Sequence, residues 1–369
     1  MSVAFIIQPR RILVRGVNWL GDAVMTTPAL VRLREKFPDA HIALLTPEKL
    51  RELWLNHPAV NETISFATGE NIFSTSKKLR AGKFDLALVL PNSPRSAMEV
   101  YLAGIPQRIG YARPLRNFFL TQAVTPRAGA AKMHKRSDSE IRRLISQKPE
   151  AGGRKPEIRY SAHQIFEYLH LAAALGANPE PLAPQLFVAP EEIEAAKKKF
   201  GLDKISNPVF GMNPGAEYGP AKRWAVEKFI AAAQEIQWKT NCVWILFGGK
   251  GDMKLTAQIA SVIHESRLTS GKTSLRELMA VLKICRLLLT NDTGPMHAAA
   301  ALGTPVVVPF GSTSPELTGP GLPGDAQNRL LKSDAPCSPC FLRDCPIDFR
   351  CMNGISVERV VEAVLQTAN

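Results

Sequence analysis

The sequence predicts an α/β fold built from two Rossmann-like, doubly wound parallel sheets that face each other across a cleft. Three observations carry this. The chain has 369 residues, more than the roughly 250–300 at which one hydrophobic core stops growing, so two domains are expected. Short apolar runs, each ended by turn residues and followed by a stretch of helical periodicity, alternate along the chain as βαβ units do. Some runs, such as 86–90 and 306–310, are apolar almost throughout, which suits strands covered on both faces.

In order, the first half offers strands at "RILVRG", "HIALLT", "TISF" and "DLALVLP", and the second half at "PVFGMNP", "CVWILFG", "RLLLTND" and "PVVVPFG". A helix should follow each. The stretch 175–192, "LGANPEPLAPQLFVAPEE", carries four prolines between two helix-like segments and reads as the linker. The expected domains are therefore 1–183 and 184–369. Each opens with a strand, a glycine-containing loop and a helix, and in such sheets ligands sit outside the carboxyl ends of the strands.

Apolar residues make up 45% of the chain, but no run approaches the roughly 20 residues of a membrane-spanning helix. The N-terminus shows no signal-peptide pattern, so a cytoplasmic location is expected. The net charge is +13, and residues 105–160 hold thirteen Lys or Arg against four Asp or Glu. That window is either a solvated face or the docking surface for an anionic partner. No aromatic RNA-binding signature or zinc-finger spacing accompanies it, so nucleic acid ranks below a membrane surface or an anionic glycolipid.

Three loops could carry chemistry. In "RILVRGVNWLGDAVMTTPAL", Gly16 and Gly21 have P-loop spacing, but Asp22 and Ala23 follow where Lys and Ser or Thr would grip phosphate. Asp22 is then either a helix N-cap or a general base held at a strand end. In "NPGAEYGPAKRW", Gly215 and Gly219 allow close backbone approach, and Lys222 and Arg223 bring positive charge just before a helix expected near Trp224. This is a candidate anion site. In "LLLTNDTGPMHAAAALG", a buried strand runs into Asp292, Thr293 and Gly294, with His297 one turn into a small-residue helix whose free N–H groups could receive a diphosphate. Here Asp292 could equally be a cap and His297 an ordinary buried histidine.

D-x-D, H-E-x-x-H and G-x-S-x-G patterns are all absent, so no metal is expected at a transfer site. Cys337, Cys340, Cys345 and Cys351 crowd into "CSPCFLRDCPIDFRC". They could hold a structural zinc, form disulfides or remain plain thiols. Cys242 and Cys285 lie in or beside expected strands and read as core.

Taken together, "GVNWLGDAVMTTPAL", "LPNSPRSA", "AGIPQRIGY", "NPGAEYGPAKRW", "LFGG" and "TNDTGPMHAAAALGTPVV" resemble the bacterial lipopolysaccharide heptosyltransferases of glycosyltransferase family nine. "PGAEYGPAKRW" and "LPNS" look more like members that add the second heptose than the first. The resemblance implies a GT-B fold, an N-terminal domain that binds the lipid A inner core, and a C-terminal domain that binds ADP-heptose. It implies inverting transfer at the inner face of the inner membrane, with peripheral membrane contact and no required cofactor. Asp22 maps to the family's proposed base. Donor contacts map to Ala216, Glu217, Lys222, Arg223, Asp252, Asp292, Thr293, Gly294 and His297, with Lys222 also assisting departure of ADP. The family's acceptor contacts do not carry over residue by residue; Asn18, Asn92, Arg113 and Arg116 are the acceptor-side candidates. The competing expectations are a glycosyltransferase or epimerase of the same fold using another sugar nucleotide, a transferase that adds the first heptose, a non-enzymatic basic binding protein, and a nicotinamide oxidoreductase, the last weakened by the missing glycine fingerprint.

Overall fold

The computed structural model describes residues 8–128, 130, 133–147 and 160–368. The extreme N-terminus and the stretch 148–159 of the basic window lie outside the described residues. The first sheet contains β1 (Arg11–Arg15), β2 (His41–Pro47), β3 (Glu62–Phe66), β4 (Leu86–Val89), β5 (Gln107–Tyr111) and β6 (Gln122–Val124). The second contains β7 (Val209–Asn213), β8 (Val243–Leu246), β9 (Ser266–Leu268), β10 (Leu287–Thr290), β11 (Val306–Phe310) and β12 (Arg329–Lys332).

The strand orders are β3-β2-β1-β4-β5-β6 and β12-β11-β10-β7-β8-β9. Read in each half's own numbering, both are the 3-2-1-4-5-6 order of a Rossmann fold. All pairings are parallel, as in Leu13 opposite Ala43 and Ala87, and Met212 opposite Leu289 and Leu246. The winding direction reverses between β1 and β4 in one sheet and between β7 and β10 in the other. Loops leaving those four strands are therefore where each domain can offer a ligand its main-chain and helix-terminal groups.

Eight strands coincide with the expected apolar runs. β5, β6, β9 and β12 do not, because "QRIGY", "QAV", "SRL" and "RLLK" are short or polar. Their pairing partners, not their own hydrophobicity, hold them in the sheets; β6, β9 and β12 are edges. The helices are less dependent on partners. In Val226–Thr240, Phe229, Ala232, Ala233 and Ile236 recur at helical spacing and are buried. They pack with Phe210, Met212, Trp244 and Leu289 in the core of the second sheet. Asn241, in the left-handed conformation, ends that helix. The first sheet is covered similarly, with Leu79, Ala97 and Val100 packed on Leu13, Ala43, Ala87 and Val89.

The chain divides into two compact units, Met1–Ala130 with Gln164–Leu186, and Ala131–His163 with Phe187–Asn369. This differs from a single crossing at 183–184. Residues 133–147 join the second unit because the helix Asp138–Ser146 buries Ile141 in that unit's core, and the Arg136 amide donates to the Cys340 carbonyl at 3.1 Å. The chain then returns, and the Tyr111 hydroxyl donates to the Glu167 carbonyl at 2.8 Å. The basic window is thus shared between the units; it is not confined to the first.

Candidate active site

In the first unit, β1 feeds a loop that leads into the helix Leu20–Met25. Trp19 is its N-cap residue, so Asp22 is not the cap; it lies in the first helical turn, where its charge favours the helix dipole. The turn leaves the carboxylate partly exposed. Gln164 Nε2 donates to Asp22 Oδ1 at 3.4 Å and to the Tyr168 hydroxyl oxygen at 2.7 Å. Burial, reinforced by the negative charge of Asp22, raises the Tyr168 hydroxyl pKa well above its usual value. Tyr168 therefore stays a neutral phenol beside the carboxylate.

A buried ion pair lies beneath this helix. Arg15, at the end of β1, pairs with Glu99 at 2.9 Å, both side chains nearly inaccessible, and also donates to Asn18 Oδ1 at 2.9 Å. Asn18 is exposed beyond it. Further along the same sheet edge, Arg116 is fully buried and donates to the Pro91 carbonyl at 2.7 Å and to Asn92 Oδ1 at 3.4 Å. Its Nε and Nη2 have no hydrogen-bond partner. Burial, then the neighbouring charge of Arg113, lowers its pKa to about 10. Arg113 itself lies with its guanidinium carbon 5.7 Å from the centre of the Tyr111 ring. The four acceptor candidates thus fall into two small networks, Asn18 with Arg15 and Asn92 with Arg116, with Arg113 beside the latter.

In the second unit the polar groups converge more tightly. Lys222 Nζ lies 2.6 Å from Asp292 Oδ2, and the Thr313 hydroxyl donates to the same oxygen at 2.5 Å. Asp292 is therefore the partner of Lys222 and not a cap; Thr293 is the N-cap residue of the helix Gly294–Ala301, without a side-chain capping bond. His297, one turn in, is buried. Burial lowers its pKa to about 4, with Asp292 opposing the shift and His163 and Lys222 adding to it. It is a neutral imidazole at physiological pH. His163, also held neutral by burial with a pKa of about 4, makes a 3.0 Å hydrogen bond to the Gly319 carbonyl through Nε2.

The loop after β7 is sewn to the end of β10. Asn291 Oδ1 accepts from the Trp224 amide at 3.0 Å, and its Nδ2 donates to the Pro214 carbonyl at 2.7 Å. Asn213 Nδ2 donates to the hydroxyls of Thr290 and Thr293. Close approach explains one glycine of this loop: a Cβ at Gly215 would lie 2.4 Å from Asp252 Oδ1. Asp252 thereby sits against the loop while accepting from the Gly249 amide at 3.0 Å. Arg223 is exposed and donates to the Ala216 carbonyl at 3.2 Å, and Glu217 is exposed beside it. The following helix starts at Val226, two residues beyond the expected Trp224.

Gln164, Tyr168, Thr313 and His163 were not legible as site residues. Gln164 is 142 residues from Asp22 in sequence, and nothing local marks it. Thr313 had a weak signal, since "GSTS" follows the buried strand β11 at the same sheet end as Asp292. All six cysteines are free. Among the described residues, no group of three or more His, Cys, Asp or Glu stands ready to hold a metal ion, and no helix is long and apolar enough to cross a membrane.

A model of glycosyltransferase family 9, the heptosyltransferases, matches residues 138–349. The lipopolysaccharide heptosyltransferase 2 of Escherichia coli K12 is 30% identical, covering 84% of this chain and 85% of its own. The lipooligosaccharide heptosyltransferase 2 of Haemophilus ducreyi is also 30% identical, over 84% of this chain and 86% of its own. The solved structure of the E. coli ADP-heptose LPS heptosyltransferase II matches with a TM-score of 0.75 at 27% identity, over 97% of this chain and 98% of that one.

Proposed function

The chain belongs to glycosyltransferase family 9 and is a glycosyltransferase of GT-B type, and from that premise we propose that it transfers L-glycero-D-manno-heptose from ADP-heptose to the first heptose of the lipopolysaccharide inner core. The observation that carries this reading is the placement of charge at the two winding reversals. A partly exposed carboxylate follows β1 in one unit, and a lysine held by a buried carboxylate lies beside a helix N-terminus in the other. Its relatives named heptosyltransferase 2 support the choice of donor and acceptor.

The reaction is a single displacement with inversion at the anomeric carbon. Asp22 accepts the proton of the attacking acceptor hydroxyl as that oxygen bonds to the sugar and the bond to ADP breaks; the electron pair leaves with the diphosphate. A base fixed on a helix contributes most when it needs no search for its substrate. Gln164 steadies the carboxylate, and the phenol of Tyr168 keeps a second anion out of its surroundings. Lys222 and the free N–H groups at the start of Gly294–Ala301 meet the charge that grows on the leaving diphosphate, so their effect is larger in the transition state than before it. Asp292 and Thr313 set the position of the Lys222 ammonium. Neutral His297, with Thr293, Ala216, Glu217, Arg223 and Asp252, completes the donor side. No covalent intermediate and no metal are needed for these steps.

On the acceptor side, Asn18, Asn92 and Arg113 meet a substrate that carries phosphate and acidic sugars, with fully buried Arg116 holding Asn92 and the Pro91 carbonyl from beneath. Basic residues of the 105–160 window would hold the enzyme at the cytoplasmic face of the inner membrane. The deciding experiment is transfer from ADP-heptose to a lipid A core bearing one heptose, with wild type and Asp22→Asn side by side. Transfer by wild type and near-loss by a folded, ADP-binding variant supports the assignment. Inactivity of both, with binding of a different sugar nucleotide, would remove the donor and keep the fold.

A further inference from the structure

The Lys222 ammonium has a second partner that the transfer reaction leaves unexplained. Its first is Asp292, with Oδ2 2.6 Å from Nζ. The second is the ring of Tyr218, whose centre lies 4.9 Å from the same nitrogen. An ammonium is attracted to an aromatic face at that range, and more strongly where water is scarce. The Lys222 side chain is only 14% exposed.

Tyr218 is itself fixed at three points. Its hydroxyl donates to the Phe341 carbonyl at 2.8 Å, its own carbonyl accepts from Arg343 Nε at 2.6 Å, and the Arg343 guanidinium carbon lies 5.5 Å from the centre of its ring. Arg343 also holds the far end of the turn, where its carbonyl accepts from the Ala221 amide at 3.0 Å. A Cβ at Gly219 would lie 2.5 Å from that carbonyl oxygen, so only glycine lets the two segments meet this closely. Arg343 thus clasps 218–221, the four residues that lead into Lys222.

These contacts close a circuit. The Phe341 amide donates to the Ser312 carbonyl at 2.7 Å, and Thr313, the next residue, donates through its hydroxyl to Asp292 Oδ2 at 2.5 Å. The path from Lys222 through Tyr218, Phe341, Ser312, Thr313 and Asp292 therefore returns to Lys222 at its other partner. Phe341 has a left-handed backbone, with φ of 57°. Bulky residues rarely adopt that conformation unless their surroundings impose it, and here it gives the Phe341 amide to one neighbour in the circuit and its carbonyl to the other.

We propose that Tyr218 is a positioning residue of the transfer reaction, with Phe341 and Arg343 as the clasp that fixes it. A lysine stem is flexible, so one ion pair alone leaves the ammonium free to pivot about the carboxylate. Contact with the ring restricts that motion. The ring also attracts the cation without accepting a strong directed hydrogen bond, so those of the three N–H donors not spent on Asp292 stay available to the diphosphate. Tyr218 acts here through Lys222, and the inference rests on the reading of Lys222 as the group that meets the leaving diphosphate.

The test is a double-mutant cycle on kcat, on the KM for each substrate and on ADP affinity, with wild type, Tyr218→Phe, Tyr218→Leu, Lys222→Met and Tyr218→Leu/Lys222→Met. Tyr218→Leu should lower kcat by roughly 3- to 30-fold, the range of one partly desolvated cation–π contact, with the acceptor KM unchanged. Tyr218→Phe keeps the ring and should keep most of kcat. In the Lys222→Met background the leucine substitution should cost no more than about twofold further. A Tyr218→Leu protein with wild-type kcat overturns the proposal, and so does a loss that repeats in full without Lys222, since a merely structural role would persist there. If Tyr218→Leu fails to fold, exposed Arg343 takes its place: Arg343→Ala should slow wild type and not Lys222→Met, and an equal effect in both would sink the idea. If wild type transfers no heptose, the leaving-group reading of Lys222 falls. Non-additive ADP affinities in the same cycle would then keep Tyr218 as the partner that positions Lys222, and additive ones would remove it.

Discussion

The two sheets share one strand order, yet their winding reversals hold charge in opposite ways. After β1, Asp22 is partly exposed and takes a long 3.4 Å bond from Gln164. After β10, Asp292 is 4% exposed and accepts from Lys222 at 2.6 Å and from Thr313 at 2.5 Å. The same topology therefore supplies one partly exposed carboxylate and another locked into the architecture. A base has to exchange protons with its substrate, whereas a group that positions a cation works best when it cannot move. Topology set where both carboxylates stand, and side chains from distant segments set what each can do.

Substitutions at the two places should separate rate from stability. Asp22→Asn keeps the shape of the side chain while removing the proposed base, so kcat should fall by roughly 10²–10⁴ with little change in melting temperature or ADP affinity. Steady-state kinetics and thermal melts of the same preparation check this; an equal fall in stability would make Asp22 a structural residue. Lys222→Met should lower stability as well as slow transfer. It leaves Asp292 buried without its ion partner, which costs about 3–5 kcal/mol for such pairs. Equilibrium urea unfolding would show it, and Lys222→Met/Asp292→Asn should recover part of the loss.

Acid should sharpen the contrast next. His163 and His297 in the second unit and His57 in the first are each held near pKa 4 mainly by burial. In the unfolded chain an imidazole titrates near 6.5. Between those values the unfolded state binds more protons, so stability present at neutral pH is lost as the pH falls through that window. By pH 4.5 the loss should be about 2–3 kcal/mol per imidazole, and urea midpoints at pH 7 and 4.5 would measure it. His297→Asn should flatten the dependence. The smallest effect is expected from Gly215→Ala, whose added carbon must displace the Asp252 carboxylate. A cost of about 1–3 kcal/mol is typical of such crowding, and it should appear mainly as weaker ADP binding by calorimetry.

Much of this was legible in particular residues. β1, β4, β7 and β10, which frame both reversals, are apolar runs that declare themselves, and Asp22, Lys222, Asp292 and Thr293 stand in the loops or helix starts that follow β1, β7 and β10. Strands such as β9 and β12 are hidden because their half-exposed faces carry polar side chains that a neighbour's backbone tolerates. Arg116 was readable as basic, but not as a fully buried group with unused donors.

The sequence by itself determined that there are two doubly wound halves, which loops stand at their strand ends, and which residue types those loops carry. Periodicity, turn residues and strand-terminal motifs are all encoded within a few neighbouring positions. Only the tertiary structure decided that the helix Asp138–Ser146 packs with the second unit, that Lys222 meets Asp292, and that Gln164 and Tyr168 stand beside Asp22. Each of these depends on segments far apart in the chain or on the turning of a loop, and their meeting is chosen by the packing of whole cores, to which no local pattern corresponds.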